Sequence, residues 1–282
     1  MIAARPTSPG AVIVAAMADE QARVPGIEVE RGALCDWWYL RLGKANAVGE
    51  RFLVALETAL DGAALPSSGP ARPIVITGEG SAFSAGLELP ALLDLDRAAL
   101  AEFLRRFHRA FLRFACLPRP TIAAINGHAV AGGAVLALAC DWRIGARTLP
   151  GSDKPPLLGV NEVALGLPFP RSAGAIVAHG LGGPARAAGP MLTGELVDPE
   201  NALRRGLLHA VVSADELRAA AEARASAFAA GSAAAVAHTK GTLRRDLAAL
   251  LPAEDGDDHF LDAWFSADTQ ARLRAVVARL RR

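Results

Sequence analysis

The chain alternates between two patterns of hydrophobic and polar positions up to about Leu167. Short runs that are almost wholly apolar or β-branched, at Ile74–Thr77 and Thr121–Ile125, are typical of buried strands in a parallel sheet. Longer segments with an apolar residue at every third or fourth position predict helices at Val48–Leu60 and Leu100–Cys116. Because strand and helix alternate in this order, the pattern predicts an α/β fold with a parallel sheet and right-handed crossovers.

The same patterns predict the remaining elements. Ile27–Val29 and Leu34–Leu42 are expected to pair as strands, and Gly132–Cys140 is apolar on every side, which predicts a buried helix. Beyond Leu167 the chain is predicted to be mainly helical. The further predicted strands and helices are Trp142–Gly145, Leu157–Val160, Arg171–His179, Pro199–Arg205, Asp215–Ala230 and His259–Leu280.

Composition narrows the class of protein. The 282 residues are 52% hydrophobic and 21% charged, which suits one large domain or a domain with a helical appendage. The formal net charge of +1 gives no electrostatic reason to expect a nucleic-acid partner. The three cysteines, Cys35, Cys116 and Cys140, form no CxxC pair, so a disulfide scaffold is excluded and no metal site is predicted.

Hydropathy gives no reason to expect a membrane protein. The longest apolar stretch, Ala129–Cys140, is shorter than the roughly 20 residues that a membrane-spanning helix needs. Near the N-terminus, Ala11–Met17 is apolar but short, and we interpret it as an extension or an edge strand rather than a signal peptide. Residues 1–26 are therefore expected to form an N-terminal extension. A cytoplasmic location without a membrane partner is therefore expected.

Several well-known catalytic motifs are absent from the sequence. There is no GxxxxGK[ST], no GxGxxG after a strand and no HExxH. The segment Ala82–Gly86 comes near the GxSxG pattern of a serine nucleophile but fails at its first position, so Ser84 is interpreted as a turn residue. His128 lies beside a glycine at the end of a strand, where a structural histidine is the favoured interpretation.

Two glycine-containing turns remain, each directly after a buried strand. The first leads from Gly78 into Phe83–Leu89, and the second runs through Asn126–Gly133 into the buried helix. In one interpretation, the small residues serve only to let the chain turn tightly. In the other, backbone N–H groups of the two turns converge on one substrate oxygen, helped by the positive end of the helix dipole. Taken singly, neither turn separates these interpretations.

Taken together and in order, these turns resemble the crotonase family, also called the enoyl-CoA hydratase/isomerase superfamily. The resemblance covers about residues 27–215, and its segments are Lys44–Ala47, Phe83–Leu89, Pro120–Gly127, Ala131–Asp141, Asn161–Gly166, Thr193–Glu195 and Gly206–Leu208. It implies a crotonase-like ββα spiral core over 27–212 and a helical C-terminal region over 213–282 that forms trimers. A homotrimer or a hexamer is therefore expected, with Phe260, Trp264 and Phe265 packing either on a partner or on their own subunit.

The resemblance also implies the substrate and its binding residues. The family binds acyl-CoA thioesters and stabilises an enolate, so coenzyme A enters as part of the substrate and no separate cofactor is expected. The two oxyanion-hole donors correspond to the backbone N–H groups of Leu87 and Gly132. A Cβ at Gly132 is expected to crowd the thioester, and Lys44 either contacts the nucleotide or is a solvated surface lysine. The implied substrate-binding residues are Lys44, Ala45, Ala85, Gly86, Leu87, Glu88, Leu89, Gly132 and Val135.

The sequence departs from the family pattern at one acid–base position. Hydratases of the family use two glutamates, which correspond here to Val135 and Glu162. One carboxylate is sufficient to move a double bond, and the family's Δ3-Δ2-enoyl-CoA isomerases combine an apolar residue with a glutamate in this way. Isomerisation with Glu162 as the proton shuttle is therefore favoured, and burial is expected to raise its pKa. A structural role for Glu162, a relaxed hydratase and a CoA-binding subunit without catalysis remain alternatives; Glu88 is interpreted as structural.

Overall fold

The computed structural model describes residues 26–43, 45–63, 72–252 and 257–280. The predicted N-terminal extension, 1–26, lies outside the described residues apart from Gly26, and so does Lys44. Apart from Lys44, every segment that carries the resemblance lies inside the described ranges.

Nine strands in this part of the chain form two sheets. The larger sheet has the order β1-β2-β3-β5-β7-β9, with β1 and β2 antiparallel and every other neighbouring pair parallel. The smaller sheet has the order β4-β6-β8 and is parallel. The strands are β1 (Gly26–Arg31), β2 (Asp36–Arg41), β3 (Ile74–Gly78), β4 (Ala82–Ser84), β5 (Thr121–Ile125), β6 (His128–Val130), β7 (Trp142–Ala146), β8 (Leu158–Gly159) and β9 (Ala210–Val212).

The strands are connected and covered by helices of very different length. A short 3-10 helix, Val163–Leu165, follows β8. The α-helices of the described ranges are α1 (Glu50–Asp61), α2 (Leu89–Leu92), α3 (Arg97–Ala115), α4 (Gly132–Ala139), α5 (Arg171–Gly180), α6 (Pro184–Thr193), α7 (Pro199–Arg204), α8 (Leu217–Ala229), α9 (Ala233–Leu243), α10 (Arg245–Ala248), α11 (Asp258–Trp264) and α12 (Ala267–Leu280). None of these helices combines the length and the apolar character needed to cross a membrane.

The central strands β3 and β5 of the larger sheet are buried on both faces, which explains why they are unbroken apolar runs in the sequence. In β3, Ile74 and Ile76 belong to the main hydrophobic core together with α1, α3 and α4. Val75 points to the opposite face, because side chains alternate along a strand, and packs in a second cluster with Ala221 and Ala225 of α8. Strand β4 of the smaller sheet follows β3 along the chain, and β6 follows β5, so this sheet positions the two glycine turns.

The predicted α/β fold is confirmed, and most of the predicted elements correspond to observed ones. Three short strands, β4, β6 and β9, are missing from the prediction, because three residues are too few to show a period of two. The predicted single helix His259–Leu280 is two helices: α11 ends at Trp264 and α12 begins at Ala267. Ser266 lies between them, and its Oγ accepts a hydrogen bond from Thr269 N at 3.3 Å, as a helix-starting serine does.

The C-terminal helices contribute to the same core as the sheet. Phe260 and Trp264 of α11 are buried in the main core of their own chain, with Leu273 of α12, whereas Phe265 is 39% exposed. For Phe260 and Trp264 the structure therefore shows packing within the subunit. The division at 212/213 and the role of the region in forming trimers stay predictions.

Candidate active site

The two glycine turns lie side by side because the strands before them are paired. Strands β4 and β6 run parallel, with Ser84 opposite Ala129. Gly86 of the first turn has a φ of +83°, and a Cβ there would lie 2.8 Å from the Ala131 Cβ and 3.2 Å from the Gly132 nitrogen. Only glycine fits this contact, so the close approach of the two turns is built into the fold.

The first turn presents the backbone N–H of Leu87. The groups on either side of it are bonded: Val48 N donates to Gly86 O at 2.7 Å, and Glu88 N donates to Val48 O at 3.1 Å. The N–H of Leu87 has no acceptor among the described residues. It is therefore a backbone donor held by hydrogen bonds on both sides and left free itself.

The second turn presents the backbone N–H of Gly132. Ala131 N donates to Gly159 O at 2.9 Å, and Val135 N donates to Ala131 O at 3.0 Å, which begins α4. As the first residue of α4, Gly132 has an N–H without an acceptor in the described part of the chain. Ala131 has φ 49° and ψ −123°, a strained conformation for a residue with a side chain, and such strain is common where a fold fixes a functional group.

Gly132 and Gly133 are glycines for different reasons. A Cβ on Gly133 would collide with the carbonyl of Ser84, so packing within the protein requires glycine there. A Cβ on Gly132 would meet nothing closer than Gly86 Cα at 3.6 Å and Val48 Cγ2 at 3.7 Å, which is ordinary contact. The protein itself therefore has room for a Cβ methyl group at Gly132.

Asn46 fixes the first turn, a role that the sequence alone does not indicate. Its side chain is buried, donates to Ala82 O at 3.1 Å and to Phe83 O at 3.2 Å, and accepts from Leu42 N at 2.9 Å. Ser84 Oγ donates to Asn46 O at 2.7 Å, so Ser84 is a structural turn residue. Asn46 lies inside a segment of the resemblance, but nothing local in the sequence shows which residue of that segment carries these contacts.

Other predicted binding residues take positions around the first turn. Ala85 N donates to Ala45 O at 2.9 Å, which ties these two residues together. Leu89 begins α2 and is buried. The carboxylate of Glu88 lies so close to Gly49 that a Cβ there would collide with Glu88 Oε2. Gly49 is the N-cap of α1, so Glu88 lies at the positive end of the α1 dipole, in agreement with a structural role.

The smaller sheet connects the second turn to the segment that carries Glu162. In the pairing of β6 with β8, Val130 is opposite Gly159, whose carbonyl also holds Ala131. Glu162 follows three residues after Gly159. Its carbonyl accepts from Leu165 N at 2.9 Å and from Leu167 N at 3.0 Å, which closes a compact segment, Glu162–Leu167, that we call the Glu162 turn.

The side chain of Glu162 is buried with little compensation. It is 7% exposed, and its Oε2 has no hydrogen-bond partner among the described residues. Burial raises the pKa of this carboxyl to about 7, in the direction expected from the sequence. A carboxyl with this pKa exchanges its proton readily near neutral pH, so Glu162 can act as an acid or a base.

Val135, the other position that corresponds to a glutamate of the family's hydratases, carries no titratable group. Val135 is 0% exposed and lies in α4, all of whose residues are buried. His128 is the histidine nearest to Val135 in the sequence. Its Nδ1 accepts a hydrogen bond from Leu157 N at 3.0 Å, and burial lowers its pKa. It holds the loop before β8, which agrees with a structural histidine.

A cavity of about 620 Å³ opens next to the first turn, between α1, α2 and α3. It begins at Glu88, which follows the Leu87 donor directly, and Leu92, Leu95 and Phe103 form an apolar wall. Arg106 lies at its charged side and is paired with two glutamates of α1. The space is large enough for part of a small-molecule substrate.

The fold and this geometry define a class of protein: an α/β protein that presents two unbonded backbone N–H groups on adjacent turns and a buried carboxyl able to exchange a proton near neutral pH. The family model described as enoyl-CoA hydratase/isomerase matches residues 41–271. The chain therefore belongs to the enoyl-CoA hydratase/isomerase family, whose members act on acyl-CoA substrates, and the resemblance to the crotonase superfamily is confirmed.

Similar proteins include both reaction types of the family. A putative enoyl-CoA hydratase of Thermus thermophilus is 32% identical over 263 residues, covering 88% of this chain and 96% of the relative. The structure of human mitochondrial Δ3-Δ2-enoyl-CoA isomerase matches with a TM-score of 0.81 and 26% identity, over 90% of this chain and 98% of that one. An enoyl-CoA hydratase from Mycobacterium avium subsp. paratuberculosis matches with a TM-score of 0.73 and 25% identity, over 91% and 97%. These similarities confirm the crotonase fold.

Proposed function

We propose that the chain isomerises 3-enoyl-CoA to 2-enoyl-CoA, with Glu162 as the proton shuttle and the N–H groups of Leu87 and Gly132 as donors to the thioester oxygen. The observation that carries this proposal concerns the two positions that correspond to the glutamates of the family's hydratases. Glu162 keeps a buried carboxylate with an unpartnered oxygen, whereas Val135 is apolar and fully buried. The backbone N–H groups of Leu87 and Gly132, which no described residue uses as donors, support the same proposal.

The reaction needs only these groups. The Glu162 carboxylate takes a proton from C2, and the electron pair of that C–H bond moves onto the thioester oxygen, giving a dienolate. The N–H groups of Leu87 and Gly132 donate to this oxygen where its negative charge develops, which commonly lowers the barrier by about 3 kcal/mol for each donor. Glu162 then returns the proton to C4. The electron pair of the C3–C4 double bond takes this proton, the C1–C2 pair of the dienolate becomes the C2–C3 double bond, and a pair on the oxygen re-forms the thioester carbonyl, so no atom is gained or lost.

The surroundings of Glu162 suit both halves of this cycle. A pKa of about 7 keeps a large share of the carboxyl ionised at neutral pH, so that it can accept a proton, and also makes its protonated form acidic enough to return it. An ordinary exposed glutamate would be a far weaker base. We infer that the acyl chain enters the cavity beside Leu92, Leu95 and Phe103, because this cavity begins one residue after the Leu87 donor.

Hydration is the second candidate, and the similarity to a putative enoyl-CoA hydratase favours it. Adding water requires a base for the water and a proton source for the α-carbon, normally two groups. Val135 occupies the place of one of them, and α4 carries no titratable side chain. We therefore rank hydration below isomerisation.

The test is a spectrophotometric assay with a 3-enoyl-CoA, in which the conjugated 2-enoyl thioester absorbs. We expect wild-type protein to raise the absorbance and Glu162→Gln to lower the rate by about 10²–10⁴-fold. The matched control is Glu222→Gln on α8, whose carboxylate pairs with Arg218 on the far face of the larger sheet. Turnover that survives Glu162→Gln overturns the proposal. Hydration of a 2-enoyl-CoA without isomerisation supports the second candidate, and binding without either reaction supports a CoA-binding subunit.

A further inference from the structure

The C-terminal helix α12 (Ala267–Leu280) contacts both halves of the proposed site. It packs against α2 (Leu89–Leu92), which follows the Leu87 donor, and against the 3-10 helix Val163–Leu165 in the Glu162 turn. Leu273 anchors α12 in the main core. The helix that ends the described chain therefore lies where it can fix the geometry between the donor and the acid–base group.

One side chain of α12 bonds the Glu162 turn directly. Thr269 is 2% exposed, and its Oγ1 donates to Gly166 O at 3.1 Å. In the described part of the chain this is the one hydrogen bond from a side chain elsewhere to the backbone of the Glu162 turn, residues 162–167. Thr269 and Gly166 are separated by 103 residues, so the bond joins the C-terminal helix to the core across the whole fold.

The contact is tight from both partners. Gly166 has a φ of +84° and ends the 3-10 helix, and a Cβ there would lie 2.8 Å from Thr269 Oγ1. On another side of the turn, a Cβ on Gly194 would lie 3.0 Å from Ala164 N, at the end of α6. The Glu162 turn is thus held between α6 and α12, and Thr269 supplies the directional part of that contact.

We propose that Thr269 is a positioning residue for Glu162: its hydroxyl fixes the Glu162 turn through Gly166 and so holds the carboxylate in line with the donors of Leu87 and Gly132. This rests on the proposed function, in which Glu162 moves the proton. Within the turn, the carbonyl of Glu162 accepts from the backbone N–H groups on both sides of Gly166, so a shift there is passed to Glu162 through the backbone. A misplacement of about 1 Å in such a group costs on the order of 10²-fold in rate.

The variants separate the hydroxyl from the packing. Thr269→Val keeps the shape of the side chain but removes the hydroxyl, whereas Thr269→Ser keeps the hydroxyl. The matched control is Thr242→Val on α9, an exposed helical threonine whose hydroxyl donates only to His238 O of its own helix, at 3.2 Å. Two quantities are measured: amide hydrogen exchange of the peptide covering residues 162–167, by mass spectrometry, and the kinetic constants of the isomerase assay.

We expect Thr269→Val to speed exchange in peptide 162–167 by about 5- to 10-fold, because a net hydrogen bond is worth about 1 kcal/mol, while a peptide covering β5 keeps its wild-type rate. We expect kcat to fall by about 10- to 100-fold with KM within about twofold, and Thr269→Ser to restore most of the loss. Thr242→Val should match wild type in both measurements. A role confined to general stability would instead change all peptides together.

Hydrogen exchange and kcat of Thr269→Val test the role of Thr269, whereas isomerisation by the wild type tests the proposed function. Wild-type exchange in Thr269→Val overturns the inference, and so does faster exchange with unchanged kcat. If the wild type does not isomerise, the proposed function fails; exchange still decides whether Thr269 holds the Glu162 turn. The kinetic comparison then passes to 2-enoyl-CoA hydration, and a wild type that catalyses neither reaction overturns the positioning role as well.

Discussion

At the scale of single residues, Glu162 combines burial with the absence of any partner for its Oε2 among the described residues. Structural carboxylates in this chain are treated differently. Asp36, for example, is buried, but each of its carboxylate oxygens faces an arginine: Oδ2 pairs with Arg119 at 2.5 Å and Oδ1 lies 3.5 Å from Arg72 Nε. A buried charge that the fold leaves largely uncompensated destabilises the folded state, and this pattern is typical of a functional group.

The pH dependence of the proposed reaction follows from the same group. The pKa of Glu162 is raised to about 7, and the ionised form is the one that removes the proton from C2. We expect kcat/KM for 3-enoyl-CoA to rise with pH and to level off above an apparent pKa of about 7. The measurement is a rate profile between pH 5 and 9 in buffers of constant ionic strength. A profile that is already flat at pH 5 would contradict the assignment.

The same shift predicts an effect on stability. The folded pKa of Glu162 exceeds its ordinary value of 4.5, so the folded state binds more protons than the unfolded state between pH 4.5 and about 7. The contribution of Glu162 to stability is therefore present at acid pH and is lost as pH rises through 7, at a cost of about 3 kcal/mol. We expect the free energy of unfolding of Glu162→Gln, measured with urea, to increase relative to that of wild type by about this amount as the pH rises from 4.5 to 8. An unchanged difference between the two proteins would argue against the raised pKa.

At the scale of elements, the sequence predicts those helices and strands whose own residues show a clear hydrophobic pattern. The helix α4 is apolar on all sides, and β3 and β5 are unbroken apolar runs, so each shows its burial within its own residues. The strands β4 and β6 are only three residues long and are set by pairing with each other. Glycines next to these strands make close contacts with residues far away in the sequence, Gly127 with Ser81 O and Gly86 with Val130 O, which no local window contains.

The candidate site divides in the same way. Glu162, Leu87 and Gly132 could be named because they occupy motif positions in a resemblance that covers most of the chain. Asn46 could not, since the partners of its side-chain amide are 36 and 37 residues away. Thr269 could not either, at 103 residues from its partner in the Glu162 turn. Residues that act by holding a turn leave a signal only in three-dimensional contacts.

The two adjacent glycines at the start of α4 give a prediction that separates folding from chemistry. Gly132→Ala adds a Cβ that the protein accommodates at 3.6 Å, so we expect a free energy of unfolding within about 1 kcal/mol of wild type but a loss of isomerase turnover of about 10²-fold. Gly133→Ala collides with Ser84 O and should lose about 1–3 kcal/mol or more. Urea unfolding and the isomerase assay of both variants check this. Full turnover in Gly132→Ala would contradict the proposal that the thioester binds against Gly132.

At the scale of the whole molecule, a buried ionic network connects the C-terminal helices to the sheet. Asp141 follows α4 closely and accepts from Lys240 Nζ at 2.6 Å, from Arg244 at 3.0 Å and from Thr121 N at 2.8 Å. Lys240 also donates to Arg119 O at 2.8 Å. Because α9 carries Lys240, the network ties the region after residue 213 to the strands β5 and β7 within one subunit.

This network predicts how the molecule responds to loss of one charge and to acid. Burial alone would raise the pKa of Asp141, but Lys240 and Arg244 outweigh it and hold that pKa below its usual value, so the network's stabilisation is lost only as pH falls through this lowered pKa. Lys240→Met leaves Asp141 buried with less compensation. We expect it to lower the free energy of unfolding by about 3 kcal/mol and to start acid unfolding at a higher pH.

The control, Asp262→Ala, breaks an exposed pair with Arg97 and should cost less than about 1 kcal/mol. Equal losses in the two variants, measured by urea unfolding at pH 7 and by acid titration, would mean that the network does not hold the C-terminal helices to the sheet.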